Sequence, residues 1–135
     1  MKEPILIAEI GCNHKGELDL AKDFIDTAKV FCQVNMVKFQ KRTISEVLTE
    51  EEYNSPHSEL RNSYGETYGK HREHLEFTLE EHAELKNYCE EREMIYSCSV
   101  WDITSAREII TLEPESIKIP SALNTHFEML GYLCE

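Results

Sequence analysis

Three ionisable side chains sit inside short apolar runs where a strand would ordinarily carry only hydrophobic residues. They are Glu9 in Ile5-Leu6-Ile7-Ala8-Glu9-Ile10, Lys38 in Val34-Asn35-Met36-Val37-Lys38-Phe39-Gln40, and Lys118 in Ile117-Lys118-Ile119. Alternation along an extended chain puts Ile5, Ile7 and Glu9 on one face of the first run, and Met36, Lys38 and Gln40 on one face of the second. An unpaired buried ammonium costs on the order of several kcal/mol, so two lysines in such settings imply an anion for them to meet. Glu9 could serve one lysine, or be no more than a buried ion-pair partner, but a single carboxylate does not cancel two cations. Ligands of parallel barrels and open α/β sheets gather at the carboxyl ends of the strands, where Ser99 and Ser121 would add hydroxyls to Lys38 and Lys118. That set is suited to cradling a phosphate and a carboxylate, and does not by itself specify a reaction.

Other candidates carry less. Asn13 and His14 follow the first run and could shape the turn before a helix, where Asn is favoured. His71-x-x-His74 has a spacing able to hold a metal on a helix, but beside Lys70 and Arg72 it reads as solvated surface. Cys98, between Ser97 and Ser99, has no histidine motif ordered around it and reads as an inert core thiol. A glycine-rich phosphate loop of the nucleotide-binding types is absent. The net charge of −12 argues against nucleic acid and anionic membrane surfaces as partners, though not against a small anionic substrate in a cationic cleft. Five scattered cysteines without a Cys-x-x-Cys indicate neither a disulfide framework nor a zinc ribbon, and a reducing cytoplasm fits them best. The first residues, with a glutamate inside a short apolar run, do not resemble a signal peptide, and no apolar stretch reaches the roughly 18 residues of a membrane span.

The elements that must position these residues follow from periodicity. Short apolar runs alternate with longer amphipathic stretches, the pattern of successive βα units. Strands are expected at Ile5–Ile10, Val34–Gln40, Met94–Ser99 and Ser116–Ile119. A first helix is expected from Leu18 to Phe31, after a turn at Gly16, with Leu18, Ala21, Ile25, Ala28 and Cys32 as its buried stripe. Thr78 and Glu81 predict a capping box opening a helix to about Arg92, with Leu79, Leu85, Tyr88 and Cys89 inward. Asp102 predicts the N-cap of a short helix carrying Ala106, Ile109 and Ile110, ended before Pro114. Thr125 and Glu128 predict a further capping box, with Phe127, Leu130 and Leu133 inward. Between the second strand and second helix runs a long segment, Lys41 to Phe77, in which Ser45–Tyr53 could be helical and Tyr64–Glu76 could reach over a site.

Taken together, four segments carry a resemblance. Ile7-Ala8-Glu9-Ile10-Gly11-Cys12-Asn13-His14-Lys15-Gly16, Val37-Lys38-Phe39-Gln40-Lys41-Arg42, Tyr68-Gly69-Lys70-His71-Arg72-Glu73-His74-Leu75-Glu76-Phe77 and Lys118-Ile119-Pro120-Ser121 resemble, in order and spacing, the N-acetylneuraminate (sialic acid) synthase family. The resemblance runs from about Ile5 to the end. It implies a partial (β/α)8 TIM barrel of the α/β class, with residues 1–135 forming the amino-terminal half. It also implies condensation of phosphoenolpyruvate with N-acetylmannosamine or a related amino sugar, with release of phosphate. A divalent metal, manganese or magnesium, would activate the sugar aldehyde, held by histidines of later strands beyond this chain. The complete enzyme would be a homodimer, in which a carboxy-terminal antifreeze-like domain lends a sugar-contacting arginine to the other subunit.

By the same match Lys38, Ser99, Lys118 and Ser121 would hold phosphoenolpyruvate, Glu9 would lie near the reacting centre, and Gln40 and Trp101 would contact the sugar, with Asn13 and His14 as further substrate contacts. Two departures stand out. Ala122-Leu123-Asn124 follow Lys-Ile-Pro-Ser where many members have Gly-Glu, and Ser99-Val100-Trp101-Asp102 stands where Thr-Pro-Phe-Asp is common. With about four of eight units, the chain is expected to be inactive alone. The alternatives are a half-barrel that pairs with a partner in a structural or regulatory role, or a synthase for a 6-phosphorylated or di-amino sugar.

Overall fold

Four parallel strands form one sheet in sequential order: β1 (Ile7–Gly11), β2 (Met36–Lys41), β3 (Ile95–Val100) and β4 (Ser116–Lys118). They belong to a computed structural model that describes residues 4–134. Each strand lies within a residue or two of its expected place, because runs rich in Ile, Val, Met and aromatics suit a strand packed on a helical layer. Neighbours in sequence are neighbours in the sheet throughout, without the reversal that marks a doubly wound sheet. Such an order is that of a barrel wall.

Helices α1 (Leu18–Val30), α5 (Leu79–Glu90), α6 (Ile103–Ile110) and α7 (Phe127–Cys134) accompany the strands. One face of the sheet, Ile10, Val37, Phe39, Tyr96, Cys98 and Val100, packs with Ala21, Ile25, Ala28, Leu85, Cys89, Ala106, Ile109 and Met129 into a single core. The opposite face carries Glu9, Lys38, Gln40, Ser97, Ser99 and Lys118, because alternation and register leave no other choice.

The caps of α5 and α6 form as expected. Thr78 and Glu81 make both bonds of a capping box, and Asp102 accepts from the Ser105 backbone N–H at 2.6 Å. The long segment is less irregular than expected: it holds α2 (Ile44–Val47), α3 (Glu50–Asn54, opened by a Thr49/Glu52 capping box) and α4 (Tyr68–His74). Four expectations are corrected. Cys32 is exposed, because α1 ends at Val30. The Thr125/Glu128 box is not formed; His126 Nδ1 accepts from the Met129 N–H at 3.2 Å instead. In α7 Met129 is the fully buried residue, while Phe127 is 78% exposed, since packing on α6 rather than the local apolar count fixes the rotation. His71 is also not solvated surface: it is buried in α4 against His57 and Tyr64.

Two buried histidines tie the α5 side of the core together. His14 is 1% exposed and stacks on Phe77 at 4.1 Å, and its Nδ1 accepts from the Gly16 N–H. His82, fully buried on α5, lies 2.7 Å from the Tyr96 hydroxyl through Nδ1. Burial lowers His14 from 6.5 to about 4, despite an opposing bond to Gly11, and lowers His82 to about 3. The unfolded chain, with ordinary imidazoles, therefore binds more protons than the folded one below about pH 6.5, so stability falls as the pH drops through that window toward 4. The expected loss is on the order of a few kcal/mol. Melting temperatures recorded between pH 7 and 4.5 should fall steeply, and in His82→Phe they should start lower but vary less with pH; an unchanged slope would exonerate His82.

Candidate active site

The polar face is organised in rows by the strand register. Glu9, Lys38 and Ser97 lie side by side across β1, β2 and β3, with Ser116 of β4 continuing the row. The next row toward the carboxyl ends holds Gln40, Ser99 and Lys118. Sequence alternation brought Glu9, Lys38, Gln40, Ser99 and Lys118 to this face. It also places Ser97 and Ser116 there, two residues before Ser99 and Lys118, which the sequence reading passed over. These two hydroxyls are bonded to each other at 3.1 Å, and Ser97 Oγ also donates to the Ser116 carbonyl.

Lys38 is 7% exposed, and its Nζ lies 2.8 Å from Glu9 Oε1. Glu9, on the outer strand, is 61% exposed through its side chain. An ion pair with one partner in water contributes about 1 kcal/mol or less. Removing an ammonium from water costs several kcal/mol. Glu9 therefore leaves most of the Lys38 desolvation uncompensated, and the position favours a second anion. Lys118 differs from expectation: on β4 it is exposed and not buried among apolar residues, and it makes no ion pair within 4 Å among the described residues. The second buried lysine is Lys41, on the opposite face, held by Glu108 at 3.0 Å and the Phe77 carbonyl at 3.2 Å.

A second cluster closes one end of the row. Glu76, just after α4, is nearly buried and meets Arg42 Nη1 at 3.3 Å and Arg72 Nη2 at 3.2 Å, while its other oxygen accepts from the Arg42 backbone N–H. Arg42 Nη2 donates to Gln40 Oε1, and the guanidinium lies over the Trp101 ring at 4.3 Å. Burial pushes the Glu76 carboxyl upward, against the pull of the two guanidiniums. Because Arg42 occupies the Gln40 carbonyl oxygen, the amide Nε2 is left as the group that Gln40 can offer to a ligand. Gly11 makes room for it: a β-carbon there would come within 3.3 Å of Gln40 Nε2, and the residue sits at φ +58° where β1 slips its register. Sequence reasoning did not single out Arg42, Arg72 and Glu76, since nothing in their spacing shows that an α4 carboxylate returns to the end of β2.

The remaining expected contacts are placed as follows. Asn13 turns its amide to the Ile10 carbonyl at 2.8 Å and remains exposed at the turn. His14, an expected substrate contact, faces the core instead of the polar face, because its ring satisfies the turn and stacks on Phe77. Trp101 lies beneath Arg42 with its Nε1 buried and without a protein partner. Ser121 is exposed and opens a 3₁₀ turn after β4, Ser121–Leu123. Leu123, where a carboxylate is common in the family resembled, packs against the core.

Residues 24–135 match the NeuB family. The chain is 34% identical over 125 residues to the N-acetylneuraminate-9-phosphate synthase of Mus musculus, covering 93% of this chain and 34% of that protein. It is 35% identical to the protein of the same name from Drosophila melanogaster, covering 93% and 33%. Among solved structures, an N-acetylneuraminic acid synthetase from Leptospira borgpetersenii serovar Hardjo-bovis superposes with a TM-score of 0.71 at 25% identity, covering 95% of this chain and 40% of that one. The chain thus spans about a third of the length of the curated relatives it matches.

The clamp on Gln40 carries a direct consequence. Glu76→Ala leaves two largely buried guanidiniums facing each other without a counter-charge, a loss of about 3 kcal/mol. Urea denaturation should show it as a lowered midpoint, and Glu76→Asp should recover part of the loss; an unaltered midpoint in Glu76→Ala would show that the cluster carries no stability.

Proposed function

This chain belongs to the NeuB family, and we propose that it supplies four βα units of a (β/α)8 synthase that condenses phosphoenolpyruvate with an amino sugar of the N-acetylmannosamine type and releases phosphate. The observation that carries the reading is Lys38: a buried ammonium in the middle of a polar sheet face, only partly answered by Glu9. Phosphoenolpyruvate offers two anionic groups on three carbons. In this proposal Lys38 and Lys118, with the Ser99 and Ser121 hydroxyls, take its phosphate and carboxylate; Gln40 Nε2 and the Trp101 side contact the sugar.

The bond changes balance without a further reagent. C3 of phosphoenolpyruvate bonds to the aldehyde carbon of the sugar, whose oxygen becomes a hydroxyl. Water adds at C2 and supplies the keto oxygen, while the C2–O bond breaks and the phosphate leaves. One proton of that water completes the hydroxyl and the other departs on the phosphate. In this proposal Glu9, ion-paired with Lys38, passes the first of these. The family resemblance implies a divalent metal that polarises the aldehyde, but among the described residues no three His, Cys, Asp or Glu side chains are grouped to hold one. These residues do not supply a metal centre, so the roles above are confined to charge, hydrogen bonding and position. No helix among the described residues is long and apolar enough to cross a membrane. Action in the cytoplasm and assembly as a homodimer belong to the proposal.

In the complete polypeptide, phosphate release from phosphoenolpyruvate should depend on an N-acylated amino sugar. Lys38→Met and Lys118→Met should each lower kcat/KM for phosphoenolpyruvate by about tenfold to a hundredfold, the worth of a hydrogen bond to a charged group. The melting temperature of Lys118→Met should hardly move, as its side chain is exposed. Intact phosphoenolpyruvate kinetics in both variants would remove the assignment.

A further inference from the structure

Three of the six histidines, His57, His71 and His74, gather around the stretch that joins α3 to α4. The His71 ring lies 4.3 Å from that of His57, stacks with Tyr64 at 5.6 Å and has Tyr68 at 6.2 Å. Tyr64 stacks in turn with His74, one turn further along α4, at 4.7 Å. His71 is 8% exposed, and its Nδ1 accepts from the Tyr64 backbone N–H at 3.2 Å. Gly65 lets the chain close down on α4: a β-carbon there would come within 2.6 Å of the Lys70 side chain and 2.9 Å of the His71 backbone nitrogen. A ring nitrogen that accepts carries no proton, so the bond to Tyr64 exists only while the imidazole is neutral. Protonation at Nδ1 sets donor against donor in a buried place, and the bond is lost.

No carboxylate stands ready to hold a charged ring in place. Among the described residues none of the three histidines has one within 4 Å. Those of the packed elements are engaged elsewhere: Glu73 of α4 by Lys70 and the Tyr53 hydroxyl, Glu76 by Arg42 and Arg72, Glu52 of α3 by its own cap, Glu46 of α2 by Thr104, and Glu59 by the Arg61 N–H. Glu50 and Glu51 stand in the exposed first turn of α3, and Glu66 on the rim of an open hollow with Tyr64 and His74. Burial first, and then His57, Arg72 and His74, lower the His71 pKa from its ordinary 6.5. His74 is exposed, and a charge on it is attracted to the face of the Tyr64 ring, so it does not oppose the stack. We propose that His71 is the catch of an acid-released latch, holding residues 57–65 down on α4 while its ring is neutral and letting them go when it is protonated. The released ring has the ordinary pKa and the held ring a lower one, so the latch is whole above about pH 6.5 and weakens as the pH falls below it. Its place gives it a consequence for the sheet. Tyr64, with Arg61 and Ser63, forms one wall of a cavity of about 350 Å³ whose other wall is Cys12 and Asn13 at the carboxyl end of β1, and Cys12 Sγ lies 3.8 Å from Gln40 Oε1. Release of the segment removes a wall beside the polar face, whatever reaction that face carries.

Hydrogen exchange of the complete polypeptide, followed by mass spectrometry at about pH 7.5 and about pH 5.5 and corrected for intrinsic rates, reads the latch without turnover. On acidification residues 57–65 should lose protection by about fivefold to tenfold, the limit for one imidazole a pH unit below 6.5, while β3 keeps its own. His71→Asn, whose amide oxygen takes the place of Nδ1 and does not titrate, should keep the protection at both pH values; His71→Phe, with no acceptor, should lack it at both. In the unaltered protein the Tyr64 amide and the His71 ring should titrate by nuclear magnetic resonance with one shared midpoint below 6.5. Separate midpoints, equal protection at both pH values, or an acid loss that survives in His71→Asn would overturn the latch. So would a loss shared equally by β3, which would assign it to the unfolding governed by His14 and His82.

Discussion

The ammonium of Lys38 has nowhere else to go. It projects from the second of four parallel strands onto a face that the helices do not cover, and its neighbours across the register are fixed as Glu9 on one side and Ser97 on the other. Glu9 reaches it but stays largely in water, so the pair is unequal: the lysine bears the desolvation and the glutamate supplies little in return. A ligand bearing two negative charges would redress that balance, and Ser99, one same-face step along β3 from Ser97, has a hydroxyl to donate without adding charge. Stability alone would favour an apolar residue at this position, which is why the lysine is read as serving a substrate.

What surrounds that row is built to hold orientation more than to add charge. Arg42 fixes the Gln40 amide, Glu76 fixes Arg42, and Arg72 completes the clamp from the helix α4 that Glu76 follows. The end of β2 is joined to the start of α6 through Asp102, which accepts from the Thr43 N–H at 2.7 Å and from the Ser105 N–H at 2.6 Å. Both carboxylates do structural work at the carboxyl ends of the strands, where catalytic ones are also expected. Telling the two apart requires knowing which oxygens are already occupied; Glu9, engaged by a single lysine, is the one with capacity left.

Strand and helix positions were legible because each depends on local pattern: apolar runs for β1 to β4, Thr78/Glu81 and Asp102 for two helix starts. The face assignment of Glu9, Lys38, Gln40 and Ser99 was legible for the same reason, since a period of two needs no tertiary knowledge. Residues whose role depends on a distant partner were not. Nothing near His14 in the chain announces Phe77, nothing near Arg42 announces Glu76, and the burial of His71 depends on His57 folding back from the preceding loop. Lys118 was misjudged for a related reason. Its apolar neighbours Ile117 and Ile119 do pack toward the core, but burial of the lysine itself depends on what stands beyond β4, which a three-residue strand cannot reveal.

The departure at Leu123 connects these points. A glutamate there would bring another negative charge toward the row that Lys118 and Ser121 end. Leucine instead packs against the core and withholds it. In a chain of net charge −12, positive potential at the strand ends survives only if carboxylates are kept from the lining or are bound to cations, as Glu76 and Glu9 are. The absence of an acid at Leu123 is a local instance of that same requirement. An acidic exterior, which serves solubility, is then compatible with cationic side chains on the polar face of the sheet.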